Sequence, residues 1–202
     1  MPTIYDLKPR FQTLLRPLTV RLAAAGASAN QVTVTAALLS ALAGALVALW
    51  PTSRWPFLLL PVALFLRMAL NAIDGMLARE HGMRSNLGAI LNELGDVVSD
   101  LALYAPLAAL PAVNGLLLAS FLLLLVISEM SGVIAVQIGA GRRYDGPLGK
   151  SDRAFAIGVL GLLLGLGVTA GAWLDWVMAG LALLAAVTTV NRARAALKEA
   201  AP

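Results

Sequence analysis

The chain has 202 residues, of which 59% are hydrophobic and 13% charged, with no cysteine and a formal net charge of +4. A soluble domain carries about a quarter charged residues, so this composition points to an integral membrane protein; the lack of cysteine excludes disulfide frameworks and thiol chemistry. The positive charge does not indicate a nucleic-acid binder, because the basic residues cluster between apolar runs, where helix anchors and cytoplasmic loops place them.

The opening residues MPTIYDLKPRFQ lack the uninterrupted apolar core and small-residue cleavage site of a signal peptide. Residues 6–25 set Phe11, Leu14, Leu15, Leu18 and Leu22 at helical spacings among Lys8, Arg10, Arg16 and Arg21. That pattern predicts an amphipathic helix in the membrane interface, broken at Pro17, with a plain cytoplasmic leader as the competing reading. GASANQVT then reads as a turn, with Asn30 as N-cap of the first span.

Six apolar runs follow, near 32–50, 57–77, 88–110, 113–137, 154–171 and 174–191. Each meets or approaches the roughly 20 residues needed to cross a hydrocarbon core. Backbone polar groups must be paired there, which predicts helices. Basic residues collect on alternate links: Arg79 and Arg84 after the second run, Arg142, Arg143, Lys150 and Arg153 after the fourth, and Arg192, Arg194 and Lys198 in the tail. The opposite links hold only Arg54. The expected architecture is therefore one all-α integral membrane domain over 1–202, with six transmembrane helices and both termini cytoplasmic.

Polar residues interrupt the second and third runs on a helical period. Arg67, Asn71, Asp74 and Ala78 share one face, while Gly75 and Ala78 permit close backbone approach. Gly88, Asn92, Asp96 and Asp100 recur at intervals of four, with Glu93 on their flank. The short link EHGMRSNLGA makes the two helices antiparallel neighbours whose polar faces converge on the cytoplasmic side. Asp96 lies about 12 Å along its helix from Gly88, so a water-filled cavity must reach that depth.

An ionised carboxylate facing lipid costs several kcal/mol, so these acids need a cavity, a metal or a cationic partner. Oxygen ligands without His or Cys suit Mg²⁺ or Mn²⁺. Arg79 and Arg84 suit phosphate, and a spare carboxylate suits proton abstraction from an attacking hydroxyl. A metal-dependent phosphate enzyme, a transporter and a helical bundle glued by polar contacts remain as readings, and the density of acids favours the first. His81, in the link, reads as a surface group. Glu129 is an isolated intramembrane acid that lines the cavity or pairs with a buried polar group or Arg67. Gly158, Gly161 and Gly165 line one helix face and permit close contact, within or between chains.

The order Asn71, Asp74, Gly75, Ala78, Arg79, Gly88, Asn92, Asp96 resembles the signature Asp-x2-Asp-Gly-x2-Ala-Arg-x8-Gly-x3-Asp-x3-Asp of the CDP-alcohol phosphotransferases. These are integral membrane enzymes of phospholipid synthesis. Every spacing is kept, and NQVTV and GPLGKSDR also look like the family. The resemblance implies transfer of a phosphatidyl or other substituted phosphate group from CDP-diacylglycerol, or a related CDP-lipid, to a small polar alcohol, releasing CMP. It implies one or two Mg²⁺ or Mn²⁺ ions at Asp74, Asp96, Asn71 and Asn92, with Asp96 also the general base. Nucleotide contacts fall to Gly75, Ala78, Arg79 and Gly88, and acceptor contacts to Arg142, Arg143, Lys150 and Arg153. A homodimer in the bacterial inner membrane, its site facing the cytoplasm, is expected on the same ground.

Asn71 and Asn92 stand where the signature has aspartates, and an amide brings neither charge nor basicity. Two accounts follow: Glu93 and Asp100 restore charge beside Asp96, or the chain keeps the fold and CDP-lipid binding without catalysis. The retention of Asp74, Arg79 and Asp96 favours the active enzyme. The alcohol is not legible, although four basic residues near the cytoplasmic face favour a phosphorylated or anionic one.

Overall fold

The computed structural model describes residues 8–201, which form helices and connecting turns without a strand. The first two residues of the predicted interfacial segment lie outside the described residues. Helix α1 (Lys8–Ala24) runs through Pro17 without a break, contrary to expectation. Proline here forfeits one backbone bond, and Pro17 sits on the exposed face. Packing holds the helix instead.

Leu15, Leu22 and Ala23 of α1 lie against Ile73, Met76 and Leu77 of α3 (Trp55–Glu80). Arg16 pairs with Glu80 at 2.9 Å, and Phe11 meets Phe65 edge-on at 5.8 Å. Between them, α2 (Ala29–Leu49) begins at Ser28 and not at Asn30. The Ser28 hydroxyl accepts from the Gln31 backbone, and the Gln31 side chain accepts from the Ser28 backbone. This reciprocal pair satisfies two orphan donors at once, leaving the Asn30 side chain free to face α4.

Helix α4 (Asn86–Tyr104) is capped by Ser85 and continues into a 3₁₀ turn, Ala105–Ala109. Helix α5 (Gly115–Ile134) is capped by Asn114 and extends through Ala135–Ile138 as a second 3₁₀ turn. The loop 139–149 leads to α6 (Lys150–Gly165), and α7 (Trp173–Ala200) closes the chain.

Among the described residues, four segments are long and apolar enough to cross a membrane: Ala29–Leu49, Trp55–Glu80, Gly115–Ile138 and Trp173–Ala200. The other two predicted runs are helical but do not qualify. Helix α4 carries the polar series along one face, and the 16 residues of α6 span about 24 Å, less than the ~30 Å hydrocarbon core.

Helix α2 packs on α3 and α4, α3 on α6, and α5 on α7. Val47, Leu60, Leu103, Phe121, Ile157 and Met178 meet in the common core. The outer faces expose Leu38, Leu42, Leu66, Leu123, Leu163 and Leu183, as suits a lipid-facing surface. The glycine stripe of α6 belongs within the chain. A Cβ at Gly161 would lie 2.9 Å from the Leu60 side chain, and one at Gly165 2.6 Å from that of Leu58.

Candidate active site

A cleft of about 350 Å³ opens where the start of α2, the end of α3 and the start of α4 meet. Asp74, Gly75, Ala78, Arg79, Gly88 and Asn92 all line it. Close approach keeps it narrow but open: a Cβ on Gly88 would lie 2.7 Å from Asn30 Oδ1, and one on Gly75 would lie 3.0 Å from the Arg79 guanidinium. Arg84 also borders the cleft. Among the described residues, no carboxylate pairs with Arg79 or Arg84.

Asp74 is buried and its Oδ2 accepts a hydrogen bond from the Thr33 hydroxyl at 2.8 Å. Asn30 and Thr33 were not legible as site residues. Only their place within the NQVTV stretch hinted at it, and the α2–α3 packing brings them to the cleft.

Beyond Asn92, the acids of α4 are held by cations from α3, α6 and the loop 139–149. Asn71 donates its amide to Asp96 Oδ1 at 3.0 Å, and Lys150 forms an ion pair with Asp96 Oδ2. Arg67 donates to the Asp96 carbonyl at 3.0 Å and pairs with Asp100. Asp100 also accepts from Arg153 Nε at 2.9 Å. Arg67 and Arg153 are each 1% exposed and Asp100 is fully buried. Charges taken so far from water persist only with partners of this kind.

Glu129 gathers three guanidinium groups. Arg142 and Arg153 approach it at 2.9 Å and Arg192 at 3.3 Å. It therefore pairs with cations, and Arg67 is not among them. Arg192, which reads in the sequence as a topology-setting tail charge, is buried here and also donates to the Ser128 carbonyl at 2.5 Å. Glu93 receives a fork from Arg142, with bonds of 3.0 and 2.8 Å. Burial works against the Arg142 charge, but its bonds to Glu93 and Glu129 outweigh that and raise its pKa above the usual arginine value. In the same loop Arg143 pairs with Asp145 at 2.8 Å and with Glu199. The hydrogen bond from Arg143 holds Asp145 below the usual carboxylate range.

This arrangement bears on any metal. Among the described residues, no three His, Asp or Glu side chains converge in a cation site. Asp74 and Asn92 share the cleft, and the Asn71 amide nitrogen on Asp96 leaves its carbonyl oxygen as a donor. That oxygen set suits one hard cation completed by phosphate oxygens. It does not suit a pair of divalent ions, because Lys150 and Arg67 already compensate Asp96, and Glu93 and Asp100 are committed to guanidinium groups.

The fold and the cleft thus define a membrane-embedded helical protein whose cleft is lined by one carboxylate, amide side chains and two arginines without a carboxylate partner among the described residues. Residues 27–191 match the sequence model of CDP-alcohol phosphatidyltransferase, and the chain belongs to that family. It is 46% identical over 197 residues to the inner membrane protein YnbA of Escherichia coli (strain K12), covering 96% of each. Its fold is similar to the crystal structure of Mycobacterium tuberculosis phosphatidylinositol phosphate synthase (PgsA1) with CDP-DAG bound, at a TM-score of 0.72 and 20% identity. That match covers 90% of this chain and 92% of the other.

Proposed function

We propose that the protein transfers a substituted phosphate group, phosphatidyl foremost, from CDP-diacylglycerol or a related CDP-lipid to the hydroxyl of a small polar alcohol. The observation that carries this reading is the gathering of Asp74, Gly75, Ala78, Arg79, Gly88 and Asn92 in one cleft, with Asp96 one helical turn beyond Asn92. Family membership and the CDP-DAG in the crystal structure of a protein with the same fold support it.

In this reading the cytidine enters beside Gly75 and Gly88, where side chains would block it, and the diphosphate meets Arg79 and Arg84. Asp74, Asn71 and Asn92 would hold a Mg²⁺ or Mn²⁺ ion, which supplies charge neutralisation to the phosphate oxygens. Asp96 takes the proton of the acceptor hydroxyl. The acceptor oxygen forms its bond to the lipid-side phosphorus as the anhydride bond to CMP breaks, and CMP leaves with the electron pair. Asn71 and Lys150 orient the Asp96 carboxylate. The six-span topology completes the picture: α4 and α6 join the four apolar helices, both termini and the cleft face the cytoplasm, and the protein is a homodimer of the inner membrane.

Purified protein with CDP-diacylglycerol, Mg²⁺ or Mn²⁺ and a panel of alcohols is expected to release CMP. Folded protein that releases none with any metal or acceptor overturns the reading. Cytidine-nucleotide binding without turnover would instead assign a noncatalytic CDP-lipid-binding role, which the amides at positions 71 and 92 would then explain.

A further inference from the structure

We propose that the acceptor alcohol carries no phosphate group and that Glu93 enforces this choice through Arg142; the inference rests on the transferase reading above. An anionic acceptor reaching Asp96 needs a cation that the protein has not already neutralised. Among the described residues, none of Arg67, Arg142, Arg143, Lys150 and Arg153 offers one. Lys150 pairs with Asp96, Arg67 with Asp96 and Asp100, and Arg153 with Asp100 and Glu129. Arg142 is forked onto Glu93, bonded to Glu129 and covered by the Tyr144 ring at 4.6 Å. Arg143 is taken by Asp145 and Glu199.

The donor cleft shows the opposite treatment, since Arg79 and Arg84 border it without a carboxylate partner among the described residues. The chain therefore leaves arginines open where a diphosphate binds and occupies them where the acceptor arrives. Glu93 is the accessible one of the two carboxylates on Arg142: its side chain is 35% exposed against 10% for Glu129, and it precedes Asp96 by three residues, one helical turn. A phosphate approaching Arg142 meets the Glu93 carboxylate first and would have to displace it. Like-charge repulsion and the lost fork both oppose that exchange. This departs from the expectation drawn from the basic residues alone, which favoured a phosphorylated or anionic acceptor.

The test compares matched pairs of acceptors, in which each phosphate ester keeps a free hydroxyl, in CMP release from CDP-diacylglycerol vesicles: glycerol against glycerol phosphate, and inositol against inositol phosphate. For the pair containing the best acceptor, wild type is expected to prefer the unphosphorylated member by at least about tenfold in kcat/KM. Glu93→Gln, with Glu93→Ala as a second variant, is expected to narrow that ratio by about tenfold, chiefly by lowering KM for the phosphate ester. A wild-type preference for the phosphate ester overturns the inference and leaves the transferase reading standing. So does a ratio unmoved in both folded variants. Absence of CMP with every acceptor, while CDP-diacylglycerol still binds, overturns the transferase reading and the inference with it.

Discussion

Asn71 donates its side-chain amide to Oδ1 of Asp96 at 3.0 Å, so the first amide of the motif serves its last carboxylate across two helices. An aspartate at position 71 would set two carboxylates within hydrogen-bonding distance, and such a pair does not ionise fully without a cation. Asn71→Asp should therefore make stability depend on metal. Adding Mn²⁺ should raise its melting temperature by at least about 4 °C more than that of wild type. Equal shifts in the two proteins would remove Asn71 from the cation site.

Asp96→Asn keeps the shape of the side chain and removes its basicity. CMP release should fall by about a thousandfold, while CDP-diacylglycerol binding, measured by calorimetry in detergent, should stay within about twofold. A rate close to wild type would exclude Asp96 as the base.

Thr33 acts on Asp74 through one hydrogen bond of 2.8 Å. Thr33→Val retains the volume and removes the donor, at a cost of about 1 kcal/mol. Mn²⁺ affinity, read by electron paramagnetic resonance, should weaken by about fivefold, whereas Asp74→Asn should abolish specific binding. Unchanged affinity in both variants would place the cation elsewhere.

Asp100 is fully buried between Arg67 and Arg153. Asp100→Asn leaves two buried guanidinium groups short of charge, a loss of about 3–5 kcal/mol. Thermal unfolding should show it as a clear drop in melting temperature, with or without CDP-lipid. A variant as stable as wild type would mean that the ion pairs are dispensable for the fold.

Gly161 lies against Leu60 of α3. Gly161→Leu should destabilise the chain by about 1–3 kcal/mol through overpacking without changing its association state on a sizing column. Dissociation of an oligomer would instead place the glycine stripe between chains.

The cleft was legible because Asp74, Gly75, Ala78 and Arg79 lie within two turns of one helix, and Gly88 and Asn92 one turn apart on the next. Their side chains share a face by helical period alone, and the short link fixes the two helices as neighbours. The break at Pro17 and the cap at Asn30 were misread for local reasons. Proline on an exposed helix face costs one bond that packing offsets, and Ser28 with Gln31 forms a better cap than Asn30.

Composition and periodicity by themselves determined that this chain is helical, that it lives in a membrane and that one face of two helices carries a phosphate-type motif. These properties depend on residues close in sequence. Only the tertiary structure decided which cation meets which acid. Glu93 and Arg142 are 49 residues apart and Asp100 and Arg153 are 53 apart. Each pairing depends on how packed helices are rotated and on where the loop 139–149 returns. That geometry turns four basic residues that read as an anion pocket into partners of carboxylates. It leaves Arg79 and Arg84 on the cleft without a carboxylate partner among the described residues.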